Sequence, residues 1–318
     1  MASEAGAGLP PAILLMGPTA AGKTGMALAI HDQLPVSLIS VDSAQVYRGL
    51  DVGSAKPDRE TLLRYPHALI DIRDPEQGYS AAEFVADAEQ AMRSAAAMGK
   101  TPLLVGGTNL YFRALLYGLD ELPVADPEVR ARLARRAGEQ GWEALHRELA
   151  MRDPESARRI RPGDAQRVQR ALEVLELTGK GLSSHHNQPR LPRFSSLRIV
   201  LTTASRQSLH ARIEQRAAAM LEAGLIEEVA GLRRRPGLHA DAPAMRSVGY
   251  RQVWEHLQRP RDVAGLRARI AAATRQLAKR QLTGFRKFPR TLWYDSGRMA
   301  TDAMVIRQAA RWIALGAG

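Results

Sequence analysis

Short apolar runs alternate with longer stretches of helical periodicity over most of the 318-residue chain. The apolar runs predict strands at 12–16, 36–41, 68–72, 102–105, 197–201 and 291–294. Strands that alternate with helices favour a parallel sheet covered by helices on both faces. Ligands of such sheets bind beyond the carboxyl ends of the strands. The pattern therefore predicts an α/β protein with its site at that edge of the sheet.

The strand pattern stops between 119 and 196, where helix starts follow one another instead. Asp126-Pro127 and Asp153-Pro154 each place a capping carboxylate before a first-turn proline, and Asp164 opens a further segment. We expect helices near 127–138, 141–151, 154–160 and 164–178, then a mobile loop at 179–189. The predicted organisation is an α/β core of 1–118 and 197–318 with an inserted all-helical domain of 119–196.

Two helices with apolar stripes are expected after the fifth predicted strand. The first carries Leu209, Ile213, Ala217, Met220 and Leu221 and ends at Gly224. Arg212 and Arg216 border this stripe, where arginines either clamp phosphates or pack their stems with the charged heads in water. Asp262 is expected to cap the second helix, whose inward residues are Val263, Leu266, Ile270, Ala273 and Leu277.

Residues 17–24 read GPTAAGKT, directly after one predicted strand and before a helical stretch. This is the pattern and the context of a phosphate-binding loop. Backbone N–H groups and the helix N-terminus cradle phosphates, Lys23 adds a point charge, and the Thr24 hydroxyl can hold Mg²⁺. The proposed phosphate-binding residues are Gly17, Pro18, Thr19, Ala20, Ala21, Gly22, Lys23 and Thr24.

Two further polar clusters follow predicted strands, Asp42-Ser43-Ala44-Gln45 and Gly106-Gly107-Thr108-Asn109. In a nucleotide hydrolase, an acid at Asp42 would support Mg²⁺. Alternatively, Asp42, Ser43 and Gln45 offer the donors and acceptors that suit the edge of a base. The spacing leaves both interpretations open.

The charge is strongly basic: 45 Lys and Arg against 33 Asp and Glu give a net charge of +12. Twelve basic residues but only two acidic ones lie between 245 and 290, a bias that favours contact with nucleic-acid phosphates over an inert surface. In the predicted insertion, Gln166, Arg167 and Arg170 share a face that is available to RNA or to solvent.

The chain contains no cysteine, which excludes disulfides and Cys-based zinc sites and fits a cytosolic compartment. Its eight histidines show no metal-ligand spacing, and His185-His186 is interpreted as a loop pair. The apolar run at 12–16 ends in the phosphate loop and is therefore interpreted as a core strand rather than an export signal. No run approaches the roughly 18 apolar residues of a membrane span.

Ten motifs in sequence order resemble those of the bacterial tRNA dimethylallyltransferases, the IPP transferase family, over about 13–295. They are GPTAAGKT (17–24), VDSAQVY (41–47), GSAKP (53–57), HALIDI (67–72), VGGTNLYF (105–112), ADPEVRARL (125–133), QRVQRALEV (166–174), RIEQRAAAMLEAGLIEEV (212–229), RSVGYRQ (246–252) and ATRQLAKRQ (273–281). The resemblance implies a P-loop NTPase-like core that transfers a dimethylallyl group from its diphosphate to N6 of the adenosine at tRNA position 37.

The resemblance also implies residue roles. Asp42 would act as the base at N6, Thr108 would bind the same edge, and Lys23, Arg216 and Mg²⁺ at Thr24 would stabilise the leaving diphosphate. The target base would swing out of its stack into the pocket. The residues implied to contact the tRNA anticodon stem-loop are Asp42, Ser43, Ala44, Gln45, Thr108, Arg130, Gln166, Arg167, Val168, Gln169, Arg170, Arg246, Arg251, Lys279, Arg280 and Arg286.

The chain departs from the family pattern at a few positions. Ala21 stands where serine is common, Asn109 where another residue is frequent, and Gly284 where tryptophan is usual. A cytoplasmic monomer is the default expectation. Two other interpretations remain: a small-molecule kinase or NTPase with the same fold, and a non-catalytic RNA-binding protein with a vestigial phosphate loop.

Overall fold

The computed structural model describes residues 8–120, 122–185, 191–259 and 262–316. They form two compact units, one bounded by Met1–Tyr117 and Pro192–Gly318 and the other by Gly118–Leu191. The corresponding limits predicted for the insertion from the sequence were 119–196.

The first unit contains, in the described residues, a six-stranded parallel sheet with the strand order β3-β2-β4-β1-β5-β6. The predicted α/β class is confirmed. In chain order the strands are β1 Ala12–Met16, β2 Val36–Val41, β3 His67–Ala68, β4 Thr101–Gly106, β5 Ser196–Thr202 and β6 Thr291–Asp295.

Helices flank this sheet and build the second unit. Those of the first unit are α1 Lys23–Gln33, α2 Arg59–Arg64, α3 Ala81–Ala97, α4 Asn109–Tyr117, α9 Arg206–Glu222, α10 Leu225–Leu232, α11 Tyr250–Gln258, α12 Val263–Phe285 and α13 Thr301–Gly316. Those of the second unit are α5 Pro127–Gln140, α6 Trp142–Arg152, α7 Pro154–Arg159 and α8 Ala165–Thr178.

The central strand β1 is buried on both faces, because its successive side chains point to opposite sides of the sheet. Ile13 and Leu15 pack with apolar residues of α1 and α13. Leu14 and Met16 pack with residues of α3 and α4 on the other face. Burial on both faces explains why the strand reads as an uninterrupted apolar run.

The third predicted strand, at 68–72, is wrong in its length. Only His67–Ala68 pairs with β2. Leu69 and Asp71 adopt left-handed backbone angles, with φ of 67° and 55°, which end the extended conformation. The segment is apolar, as its pattern indicates, but the pattern does not show the left-handed turns at Leu69 and Asp71.

The second unit is held by a cluster of apolar residues from α5, α6, α7 and α8. The three predicted N-caps are confirmed: Asp126 accepts from Val129 N–H, Asp153 from Ser156 N–H and Asp164 from Arg167 N–H. Each carboxylate satisfies a backbone donor that has no partner inside its helix.

The predicted loop at 179–189 is partly ordered. Leu182–His185 forms a 3₁₀ turn, and Ser183 donates from its backbone N–H and its hydroxyl to the carboxylate of the buried Asp153. These contacts give the stretch a regular turn, and its mobility stays a prediction. Gly179 ends α8, and the loop residues His186, Asn187, Gln188 and Pro189 lie outside the described residues.

The long helix α12 packs against α9 through an apolar cluster that includes Leu266 and Ile270. Asp262 caps α12 as predicted, by accepting from Gly265 N–H at 2.8 Å. Val263, expected to face inward, is 53% exposed, because the first turn precedes the part of the stripe that is buried. None of the helices in the described ranges is long and apolar enough to cross a membrane.

Candidate active site

A cavity of about 530 Å³ opens in the first unit, where β1, β2 and β4 end. Its walls come from the phosphate loop of 17–24, the turn after β2, the turn after β4, and helices α9 and α12. This is the edge at which a parallel sheet binds its ligands. The three polar clusters predicted from the sequence therefore line one cavity.

The phosphate loop wraps tightly before α1. Ala20 and Gly22 adopt left-handed backbone angles, with φ of 64° and 85°. The Ala21 side chain is fully buried in the core below the loop, so Ala21 can act only through its backbone, and its N–H donates to the Pro18 carbonyl. Lys23 and Thr24, in the first turn of α1, line the cavity. The helix N-terminus is thus presented to a bound anion.

Three charged side chains face one another in this cavity: Lys23, Asp42 and Arg216. Burial lowers the pKa of Lys23 to about 8, against the raising effect of Asp42, while Arg216 lowers it further. Burial also lowers the pKa of Arg216, against the same carboxylate. Two cations held with one carboxylate leave a local excess of positive charge, which suits a polyanion.

The two arginines of α9 differ in their surroundings. Arg216 lines the cavity and its Nη2 lies 3.4 Å from the Ser54 carbonyl oxygen. Arg212 instead donates to the Ser296 hydroxyl at 2.9 Å. The sequence left two roles open for this pair. The position of Arg216 in the cavity is compatible with the first, in which an arginine clamps a bound phosphate.

The Asp42 carboxylate organises the turn after β2. Its Oδ1 accepts from the backbone N–H groups of Ala44 at 2.8 Å and Gln45 at 3.4 Å. Ser43 N–H donates to Thr108 Oγ1 at 3.3 Å, which ties this turn to the turn after β4. Asp42 and Thr108 therefore stand on the same side of the cavity, a placement compatible with the roles that the resemblance implies.

Gln45 has a different role from the one expected. Its Oε1 accepts from the Ser40 hydroxyl, and its Nε2 donates to the carbonyls of Ser54 and Ala55. These contacts commit both hydrogens of the amide to the protein. The structure therefore does not support the interpretation that this amide reads the edge of a base.

One wall of the cavity is apolar. It is formed by Ile213, Ala217 and Met220 of α9 together with Ile270 and Leu277 of α12. The predicted stripes of these two helices thus have a dual use, packing the helices together and lining the cavity. An apolar wall beside a phosphate loop suits a ligand with a diphosphate head and a hydrocarbon tail.

Gln281 is a cavity residue that the sequence analysis missed. Its Oε1 accepts from Thr19 N–H at 2.9 Å and its Nε2 donates to the Gly107 carbonyl at 3.0 Å. The available signal was its position four residues after Leu277 on the inward stripe of α12. A polar residue on a buried stripe is expected to have specific hydrogen-bond partners.

The basic residues expected to contact RNA divide between the two units. In the first unit, Arg246 and Arg280 line the cavity mouth, while Lys279, Arg286 and Arg251 are exposed. Arg251 is paired with Glu255 one helical turn away. Arg261, one of the twelve basic residues of 245–290, lies outside the described residues.

In the second unit, a buried carboxylate uses two of the predicted RNA-contacting arginines. Glu173 is 0% exposed and accepts from Arg130 Nε at 2.8 Å and from Arg170 Nη1 at 2.7 Å. Gln169 Nε2 donates to the Arg130 carbonyl. These arginines therefore have a structural partner that the sequence analysis missed.

The structure corrects the assignment of Val168 as an RNA-contacting residue. This residue was included with the RNA-contacting residues of α8, but its side chain is fully buried in the core of the second unit and cannot reach RNA. Its neighbours Gln166 and Arg167 are exposed, and the Arg167 side chain is 71% accessible with only a long 3.6 Å pairing to Asp164.

No cluster of three or more His, Cys, Asp or Glu side chains that could hold a metal ion occurs in the part of the chain that the structure describes. Mg²⁺ does not need such a cluster, and the Thr24 hydroxyl lines the cavity where a bound phosphate and water would complete its ligands. This is the usual arrangement for Mg²⁺, which keeps several waters and takes one or two protein ligands.

The fold and the cavity define a phosphate-loop protein with a basic surface next to its site. The sequence profile of the IPP transferase family matches residues 45–288. The chain belongs to this family.

Similar proteins support this assignment over nearly the whole length. The tRNA dimethylallyltransferase of Thiobacillus denitrificans is 54% identical over 289 residues, 91% of this chain and 92% of the relative. That of Alkalilimnicola ehrlichii is 56% identical over 282 residues, 88% of this chain and 89% of the relative.

Solved structures of similar proteins also support the assignment to this family. The tRNA isopentenylpyrophosphate transferase of Bacillus halodurans superposes with a TM-score of 0.71 at 32% identity, covering 97% of this chain and 98% of that one. A eukaryotic dimethylallyltransferase acting on tRNA superposes with a TM-score of 0.75 at 22% identity, covering 94% and 77%. The second likeness supports the fold alone.

Proposed function

We propose that the protein transfers a dimethylallyl group from dimethylallyl diphosphate to N6 of the adenosine at tRNA position 37, next to the anticodon, and releases diphosphate. The observation that carries this proposal is one cavity that joins a phosphate loop, an apolar wall and a carboxylate with a hydroxyl beside it. The names of the similar proteins support the same reaction.

The donor would bind with its diphosphate at the N-terminus of α1. Lys23 and Arg216 would neutralise charge on the phosphates, and the charge that develops as the carbon–oxygen bond breaks would be stabilised in the same place. Mg²⁺, when bound at the Thr24 hydroxyl, would supply further charge neutralisation to the leaving diphosphate. The dimethylallyl group would lie against Ile213 and Met220.

The acceptor would enter beside Asp42 and Thr108. An adenine amine is a weak nucleophile, because its lone pair is delocalised into the ring, so a base at N6 assists the reaction. As the bond from the allylic carbon to N6 forms, the N6 proton would pass to the Asp42 carboxylate. Since Oδ1 is engaged by the turn, Oδ2 is the oxygen that would accept it.

The RNA partner would be the anticodon stem-loop, with its target base swung out into the cavity. Arg246, Arg280 and Lys279 border or flank the cavity mouth and would bind phosphates there. In the second unit, Arg167 and Gln166 are the exposed residues of α8 best suited to RNA contact.

The test is incubation of the protein with labelled dimethylallyl diphosphate, Mg²⁺ and an anticodon stem-loop. We expect label to enter the RNA when adenosine occupies position 37 and not when guanosine does, since guanosine has no amine at that position of the ring. Rapid ATP hydrolysis without transfer of label would favour a kinase or NTPase instead. Stem-loop binding without either reaction would favour a non-catalytic RNA-binding protein.

A further inference from the structure

Gln281 of α12 connects two loops of the cavity through one side chain. Its oxygen accepts from the phosphate loop at Thr19 N–H, and its nitrogen donates to the Gly107 carbonyl. The residue is only 9% exposed, so water is a poor substitute for either partner. Removal of the amide would deprive the buried Gly107 carbonyl and the partly buried Thr19 N–H of this partner.

The approach of Gln281 to the second loop requires a residue without a side chain. A Cβ atom on Gly107 would lie 2.3 Å from Gln281 Nε2, closer than non-bonded atoms can come. Gly107 therefore allows the glutamine amide to reach its backbone. The hydrogen bond from Gln281 to the Gly107 carbonyl therefore depends on glycine at position 107.

Gly107 is connected through Thr108 to the side of the cavity that holds Asp42, where the acceptor base would bind. Thr108, the next residue after Gly107, donates from its N–H to the Val41 carbonyl and accepts from Ser43 N–H. Those two residues flank Asp42. Gln281 is thus linked by short contacts to the phosphate loop on one side and to the Thr108–Asp42 edge on the other.

The same helix exposes the basic residues that would meet RNA. Lys279 and Arg280 directly precede Gln281, and both are exposed. The backbone carbonyl of Gln281 also accepts from Asn109 Nδ2 at 3.0 Å. A displacement of α12 at this point would therefore be transmitted to both loops.

We propose that Gln281 is a positioning residue that sets the separation between the phosphate loop and the Thr108–Asp42 edge and couples RNA contact on α12 to donor binding. This inference rests on the proposed function. Transfer between a bound donor and a bound base requires the reacting atoms about 3–3.5 Å apart, and a misplacement of about 1 Å lowers rates by about 100-fold. Coupling between two binding sites is reciprocal, so it is measurable from either side.

The test uses Gln281→Leu and, should that variant not fold, Gln281→Met. Both remove the hydrogen bonds at similar side-chain volume. The affinity for dimethylallyl diphosphate is measured with and without saturating stem-loop RNA. We expect RNA to tighten donor binding by about fivefold or more in the unaltered protein, within the usual range of couplings. In the variants we expect less than a twofold effect, with kcat lowered by about 10–100-fold.

Gln276→Leu is the matched control, because it removes an exposed glutamine from the same helix. The ratio of donor affinity with RNA to donor affinity without RNA should remain that of the unaltered protein, whatever the effect of Gln276→Leu on RNA affinity. A lower melting temperature in Gln281→Leu with an unchanged ratio would show a purely structural role and overturn the proposal. A ratio near one in the unaltered protein would overturn it as well. Failure of the unaltered protein to transfer label, by contrast, would contradict the proposed function.

Discussion

The side-chain amide of Asn109 occupies the space in which a Cβ atom on Gly284 would lie. An ideal Cβ there would be 2.3 Å from Asn109 Nδ2, and that nitrogen is held by the Gln281 carbonyl at 3.0 Å. The contact joins the start of α4 to the last turn of α12. Two departures from the family pattern, which the sequence presents as separate, are therefore neighbours in the structure.

Gly284→Ala is expected to destabilise the protein, although alanine in a helix is ordinarily about 1 kcal/mol better than glycine. The reason is that the added methyl group forces Asn109 off its carbonyl partner. We expect the free energy of unfolding to fall by about 1–2 kcal/mol, measured by urea denaturation.

The companion variant is the double substitution Asn109→Ala with Gly284→Ala. Removal of the amide frees the space, so the second substitution should cost little or stabilise the helix in that background. The double-mutant cycle should thus show coupling of at least about 1 kcal/mol. Additive effects of the two substitutions would contradict the steric explanation.

Lys23→Met is expected to stabilise the free protein while weakening donor binding. The lowered pKa of Lys23, about 8, shows that burial disfavours its charged form, so an uncharged side chain of similar length should raise the free energy of unfolding at pH 7 by about 1–2 kcal/mol. The same substitution removes a charge that faces the diphosphate. Denaturation curves and donor affinity measure the two effects.

The gain in stability should depend on pH. Between pH 8 and 10.5 the unfolded chain holds a proton on Lys23 that the folded protein has released, so the unaltered protein gains stability as pH rises through this window. The advantage of Lys23→Met should shrink accordingly. Donor affinity of the unaltered protein should weaken above pH 8 for the same reason.

Lys56 is the matched control for Lys23. Its ammonium is also buried, with the side chain 3% exposed, but lies 2.6 Å from the carboxylates of both Asp51 and Asp71. Lys56→Met should therefore destabilise the protein, by about 1–3 kcal/mol. Destabilisation of equal size by both substitutions would contradict this contrast, in which Lys23 donates to the Pro18 carbonyl at 2.9 Å while Lys56 contacts two carboxylates.

Asp42→Asn is expected to separate the chemical role of Asp42 from its structural one. The amide oxygen of asparagine can still accept from Ala44 and Gln45 N–H, so the turn should persist. The proton acceptor is lost, and kcat should fall by about 100-fold or more with RNA affinity changed less than about threefold. An equal loss of turnover and RNA affinity would instead indicate that Asp42 serves mainly to hold the turn.

The sequence predicted the parts of the site that depend on local order. The phosphate loop, the turn at Asp42 and the turn at Thr108 each follow a strand, and parallel strands bring their carboxyl ends to one edge. Periodicity and capping residues likewise predicted α5 to α9 and α12, because a cap such as Asp126 acts within one turn.

Contacts between distant segments could not be predicted in this way. Gln281 is 262 residues from Thr19, and the pairing of Glu173 with Arg130 spans 43 residues. The sequence also does not distinguish a basic residue that faces solvent from one that pairs with a buried carboxylate. The pairing of Arg130 and Arg170 with Glu173 was therefore not predicted.

Lys279→Ala is expected to weaken stem-loop binding and to reduce its dependence on salt. Each phosphate contact contributes roughly 0.7–0.9 to the slope of log affinity against log salt concentration. Arg251→Ala is the matched comparison, since Arg251 is already engaged with Glu255 at 3.0 Å and should change the slope less. Equal slopes for Lys279→Ala and the unaltered protein would remove Lys279 from the RNA surface.

Glu173→Gln is expected to destabilise the second unit by about 2–3 kcal/mol, because its fully buried carboxylate receives hydrogen bonds from Arg130 and Arg170. Burial alone would raise the pKa of Glu173, but the arginine contacts dominate and lower it. Its stabilisation is therefore present above the ordinary glutamate pKa and lost as pH falls through the lowered one. Between the ordinary glutamate pKa and the lowered pKa of Glu173, the free energy of unfolding should fall less with falling pH in the variant than in the unaltered protein. Equal acid sensitivity of the two proteins would show that Glu173 does not carry this stabilisation.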